Sequence, residues 1–79
     1  MKITITITLP ESAKSYDIQM EDTQKIADTL QILQENLLLF RHAERIRTVR
    51  EKETGRQIDT EQTYEQAMVY SGAELLIYE

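Results

Sequence analysis

The chain opens on strict alternation. Ile3, Ile5 and Ile7 fall on one side of an extended backbone, and Thr4, Thr6 and Thr8 on the other. That period of two predicts a strand with one side buried, and both residue types favour a pleated surface. Leu9-Pro10 ends it, because proline cannot donate to a ladder. "ESAKS" reads as a connection, and "YDIQM" restarts the alternation with Tyr16, Ile18 and Met20 inward. Two alternating runs this close together predict an antiparallel hairpin.

The period then changes. In "EDTQKIADTLQILQENLLLF", Ile26, Leu30, Leu33 and Leu37 are spaced four, three and four apart. This spacing predicts a helix with one narrow apolar stripe, Ala27 at its edge and Ile32 off it, partly exposed. Asp22 or Thr23 is the expected N-cap, its side-chain oxygen meeting amides that lack partners. Leu38, Leu39 and Phe40 exceed what one helix face needs, so the chain is expected to turn there and tuck them under the sheet.

"RIRTVRE" predicts a third strand. Taking Ile46 as inward sends Thr48 inward too and leaves Arg47 and Val49 outside. "EKETGRQI" has the polar character of a turn, with Gly55 able to take positive φ. Ile58 then anchors a short strand, and Tyr64, Ala67 and Val69 plug the core from a mostly polar loop containing a short helical turn. Gly72 suits a tight turn before a last strand, Glu74 to Tyr78. There the alternation fails: Leu75, Leu76, Ile77 and Tyr78 are all apolar or aromatic.

Composition narrows the picture. Seventy-nine residues make a single domain, 1–79, with no room for a second core. Apolar residues are 41% and charged residues 29%, which suits a folded globular domain. There is no cysteine, hence no disulfide and no thiolate chemistry. A small secreted domain usually relies on disulfides, so a cytoplasmic location is expected. The N-terminus lacks the unbroken apolar stretch of a signal peptide, and the longest apolar run, Leu37 to Phe40, is far short of a membrane span. A formal net charge of -5 disfavours general nucleic-acid binding.

Catalytic and metal chemistry find no support. His42 is the single histidine and sits among charges in "RHAER", which fits a solvated side chain better than a zinc ligand. Ser12, Ser15 and Ser71 lack a nucleophile context, and there is no glycine-rich phosphate loop. The fourteen carboxylates are spread along the chain. No enzyme activity, cofactor, metal or small-molecule substrate is therefore expected. Arg41, Arg45, Arg47, Arg50, Lys52 and Arg56 cluster in one segment, with Glu44, Glu51 and Glu53 interleaved. A charged hairpin with cross-strand pairs accounts for them. The alternative is a basic patch for an acidic partner, nucleic acid or an anionic membrane surface.

The order strand, strand, helix, strand, short strand, loop, strand is that of the β-grasp. The stretch "RQIDTEQTYEQAMVYSGAELLIY" resembles the corresponding stretch of ubiquitin without gaps. "MKITITI" and "YDIQM" resemble its first hairpin, and "MEDTQKIADTLQILQ" its helix. The resemblance implies an α+β ubiquitin-like β-grasp, a mixed sheet of four to five strands covered by one main helix. Within that superfamily the length, the "MEDTQKIADTLQIL" helix, the "RIRTV" strand and the ending resemble the YukD/EsaB-like family of bacterial type VII secretion systems. That likeness implies a noncatalytic accessory protein in the cytoplasm, peripheral at the inner face of the membrane, with a protein partner that includes a membrane-associated secretion component.

On the β-grasp reading, Leu75 and Ile77 point at the helix, while Leu76 and Tyr78 point to the bare face of the sheet. Val49 is expected there too, with Arg47 at the rim. In ubiquitin the matching region is the apolar patch that most partners bind. Arg47, Val49, Leu76 and Tyr78 are therefore the expected partner-binding residues, whether the partner is another protein or a second copy in a homodimer. Ubiquitin and its sulfur-carrier relatives need a tail closing in Gly-Gly, whereas "IYE" ends this sequence. The expectation is a protein that is not conjugated to targets, and its alternative is a truncated ubiquitin-like modifier.

Overall fold

The Ile/Thr alternation forms β1, Lys2–Leu9, and "KSYDIQME" forms β2, Lys14–Glu21, antiparallel to it with Ile5 opposite Ile18. The computed structural model describes residues 1–78, so Glu79, the last residue of the "IYE" ending, lies outside the described residues. After the hairpin come α1, Ile26–Leu37, a 3-10 turn at Ala43–Arg45, and three short strands: β3, Thr48–Glu51, β4, Gln57–Asp59, and β5, Glu74–Leu76. The sheet order is β2-β1-β5-β3-β4. β1 and β5 run parallel, and the other neighbours are antiparallel. The ladder reaches past Leu76, for the Ile77 N–H donates to the Thr8 carbonyl at 2.9 Å.

The inner face of this mixed sheet carries the core. Ile3, Ile5, Ile7, Met20, Val49, Ile58, Leu75 and Ile77 are buried together with Ile26, Leu30 and Leu33 of α1. Tyr64, Ala67 and Val69 close the cluster from the loop before β5, as their spacing predicts. Gly55 at φ 72° and Gly72 at φ 94° supply the left-handed turns before β4 and β5.

Four expectations are corrected. The first is the start of the helix. Its N-cap position is Lys25, which provides no side-chain cap. The Asp22 carboxylate instead accepts from the Met1 ammonium at 3.0 Å, which raises that amine's pKa. The first helical amides turn to backbone: Ile26 N–H donates to Gln62 O at 3.0 Å and Ala27 N–H to Thr60 O at 2.8 Å. Tertiary carbonyls have taken the role of a cap.

The second correction concerns the end of the stripe. Leu37 is exposed, so the buried part ends at Leu33. The third follows directly. Leu38 takes a left-handed conformation, φ 54°, donates to Gln34 O at 3.2 Å and is 82% exposed. Only Phe40 returns fully to the core, with Leu39 half-buried.

The fourth bears on function. Val49 is buried, 3% exposed, and faces the helix side, while Thr48 and Arg50 face outward. Ile46 is buried as well. Two inward residues three apart cannot share one regular strand. Ile46 follows the 3-10 turn and precedes β3. Its carbonyl and that of Arg47 both accept from the Thr60 hydroxyl, at 3.0 and 3.2 Å. The break lets both apolar side chains enter the core and reverses the parity read from "RIRTVRE".

Candidate functional site

The face of the sheet opposite α1 has two unlike parts. On β1 and β2 the outward groups are polar, and the hydroxyls of Thr6, Thr8 and Ser15 have partners. Thr6 Oγ1 donates to Asp17 at 2.7 Å, Thr8 Oγ1 donates to Glu74 at 2.7 Å, and Thr8 and Ser15 share a bond of 3.0 Å. On β5, its continuation and β3 the outward side chains are Glu74, Leu76, Tyr78, Thr48 and Arg50, Glu74 being taken up by Thr8. Leu76 lies between Thr8 and Arg50 in the ladders. It is half-buried, whereas Leu75 and Ile77 on either side are fully buried. Tyr78 is 52% exposed. Thr48, Arg50, Gln57, Leu76 and Tyr78 line a shallow depression of about 100 Å³.

Of the four expected docking residues, then, the structure brings Leu76 and Tyr78 together on the bare face and takes Val49 away. Arg50 stands outward beside Leu76, a placement the sequence reading missed. The signal that could have found it is parity: if Val49 is core, Arg50 must face out. Its Nη1 donates to the Gly55 carbonyl at 3.3 Å, which steadies the stem against the β3–β4 turn.

Arg47 sits next to this face, not on it. With Arg41, His42, Arg45, Ile46 and Thr48 it lines an open cleft of about 580 Å³ whose remaining wall is Tyr78. Other cations of the segment are paired within the fold: Lys52 with Glu74 at 3.6 Å and Arg56 with Glu51 at 3.5 Å. Arg45 and Arg47 make no ion pair among the described residues. His42 Nδ1 lies 3.4 Å from Glu44 Oε1 at the exposed edge. The Glu44 carboxyl is held below its usual range, first by its own backbone amide and then by His42. Among the described residues, no three His, Cys, Asp or Glu side chains gather as a metal site requires.

Beneath the other end of the sheet, the Tyr64 ring is wholly buried and its hydroxyl makes no hydrogen bond among the described residues. Thr29 approaches it and favours ionisation, although its own hydroxyl accepts from Gln24 Nε2 at 2.7 Å. Burial dominates and pushes the phenol up to about 12.

No family model and no curated protein matches the chain. Solved structures do. The C-terminal ubiquitin-like domain of mouse tubulin-specific chaperone e superposes with a TM-score of 0.73 at 17% identity, over 99% of this chain and 86% of that one. A de novo designed protein based on ubiquitin gives 0.73 at 18%, over 96% and 85%. The ubiquitin-like domain of Plasmodium falciparum Dsk2 gives 0.65 at 15%, over 98% and 99%. The chain has a ubiquitin-like β-grasp fold. At these identities the likeness establishes the β-grasp alone, and any function must be argued from the site. No helix among the described residues is long and apolar enough to cross a membrane.

Proposed function

We propose that this β-grasp domain is a noncatalytic protein-interaction module that docks a partner on its bare sheet face, around Leu76 and Tyr78. One observation carries the reading: from Leu76 onward the last strand and its continuation are apolar or aromatic on both sides, although α1 covers only one, while Glu74, the outward residue before them, is taken up by Thr8 and Lys52. Burying a leucine side chain fully gains about 1.5–3 kcal/mol, and a tyrosine ring adds a large rigid surface with a polar tip. A partner that covers Leu76 and Tyr78 would recover the part of that gain the free domain forgoes. Arg50 and Arg47 flank them and offer guanidinium groups to carboxylates at the rim. Val49 contributes from below by holding β3 to the core.

In the finer form of this reading, the domain serves as an accessory component of a type VII-like secretion system, in the cytoplasm or against the inner face of the membrane. It is not conjugated to targets. The sequence likeness to the YukD/EsaB-like family supports that form. Deleting the gene in its native cell should lower export through such a system, and unaltered export would remove the assignment. The reading frame beyond Glu79 decides whether a Gly-Gly tail follows.

The docking face itself is tested by photo-crosslinking in the native cell. Wild type is compared with Leu76→Asp and with Gln19→Asp, which lies on the hydroxyl-bearing part of the same face. Leu76→Asp should fold and lose the crosslinked partner, while Gln19→Asp should keep it. Equal capture by all three would show that Leu76 is not a docking residue.

A further inference from the structure

Charge in this domain is sorted. Residues 41–56 hold six of the nine Lys and Arg side chains and only three of the fourteen carboxylates. The rest of the chain holds three lysines against eleven carboxylates. Within the basic segment, Lys52 and Arg56 are committed to Glu74 and Glu51, while Arg45 and Arg47, which make no ion pair among the described residues, line the 580 Å³ cleft together with Arg41. Tyr78 forms its apolar wall and also belongs to the shallow depression beside Leu76, so cleft and sheet face are continuous.

We propose that the cleft receives a short acidic segment of a protein partner, its carboxylates on Arg45 and Arg47 and an apolar side chain against Tyr78 and Leu76. The inference rests on the docking reading above and names the chemistry of the partner. Three features favour a short segment over an extended polyanion. Guanidinium forks match carboxylates in a bidentate fashion. The half-exposed Tyr78 ring offers an apolar anchor site that a bare phosphate chain would not use. Outside residues 41–56 the chain is strongly acidic, so a nucleic acid or an anionic membrane that reached past the basic segment would meet repulsion.

The test follows amide shifts of the 15N-labelled full chain in the presence of a synthetic glutamate-rich peptide with one central leucine. Its counterpart with lysine for glutamate, an oligothymidylate and phosphatidylserine vesicles serve as comparison probes. The acidic peptide should move Arg45, Arg47, Thr48 and Tyr78, and Arg45→Glu/Arg47→Glu should weaken it roughly tenfold or more while keeping a folded spectrum. Arg45→Gln/Arg47→Gln should weaken it less. Binding should decline with added salt yet persist through the apolar contact. Absence of shifts at the cleft, equal binding of the lysine peptide, or tighter arginine-dependent binding of oligothymidylate or vesicles overturns the proposal. So does a native partner that is lost in Leu76→Asp but indifferent to Arg45→Glu/Arg47→Glu, an outcome that leaves the docking face standing. A partner indifferent to both variants overturns both readings.

Discussion

β1 and β5 lie side by side and parallel, and they treat their two sides differently. Toward the helix they are alike: Ile3, Ile5 and Ile7 on one, Leu75 and Ile77 on the other, all buried. Away from it they diverge. β1 presents threonines, and those at positions 6 and 8 are bonded to Asp17, Ser15 and Glu74. β5 and its continuation present, after the Glu74 that Thr8 holds, Leu76 and Tyr78, with Arg50 of β3 alongside. The first strand is finished toward solvent with polar groups, those of Thr6 and Thr8 satisfied within the sheet. The second leaves apolar surface in water, and folding offers no reason for it. That contrast between neighbours in one sheet is a stronger argument than exposure alone, because isolated exposed apolar residues are common.

The largest expected effect tests what the strands share. Ile5→Ala should cost about 2–5 kcal/mol in urea unfolding, the usual range for truncating a buried isoleucine. A loss near zero would break the comparison on its common side. Next comes the hydroxyl that lacks what the β1 threonines have. Because burial raises the folded pKa of Tyr64 to about 12, its contribution to stability is intact below the unfolded value near 10. It is lost as the pH climbs from there through the folded value. The loss should total about 2–3 kcal/mol, two pK units at about 1.36 kcal/mol each. Tyr64→Phe should abolish that alkaline decline and leave neutral-pH stability unchanged or higher by about 1 kcal/mol, since a stranded hydroxyl is removed. A smaller effect is expected from Thr6→Val, which deletes the 2.7 Å bond to Asp17; about 0.5–1 kcal/mol in thermal or urea unfolding is typical of such a bond at an exposed site. The smallest sharpens the contrast itself. Leu76→Thr extends the β1 pattern onto β5 and should change stability by no more than about 0.5 kcal/mol. Partner binding should nonetheless fall. A large stability loss would mean that Leu76 is structural after all.

Much of this architecture was legible where one side of an element is buried and the period is regular. Ile3 to Ile7, Ile26 to Leu33, Ile58, Tyr64 to Val69 and Leu75 to Ile77 all face as their spacing predicts. The reading failed where backbone hydrogen bonds made elsewhere in the chain set the geometry. Lys25 caps nothing because carbonyls of residues 60 and 62 reach the helix amides first. Val49 faces the side opposite to the one its local pattern predicts because Thr60 pins the carbonyls of Ile46 and Arg47 just before β3, and nothing in "RIRTVRE" announces that break. The candidate site was half visible for the same reason. Leu76 and Tyr78 follow from alternation on β5, whereas Arg50 and the cleft beside Arg45 and Arg47 depend on how the irregular segment 38–47 is routed.

The parallel pairing of β1 with β5 also sets a clock for biosynthesis. β1 is the first strand of the sheet to be made, yet β5, which shelters its edge, is the last. Until residue 77 has cleared the exit tunnel, the β1–β2 hairpin has an uncovered edge and no partner for the Thr8 carbonyl, so closure of the sheet must wait for its last strand.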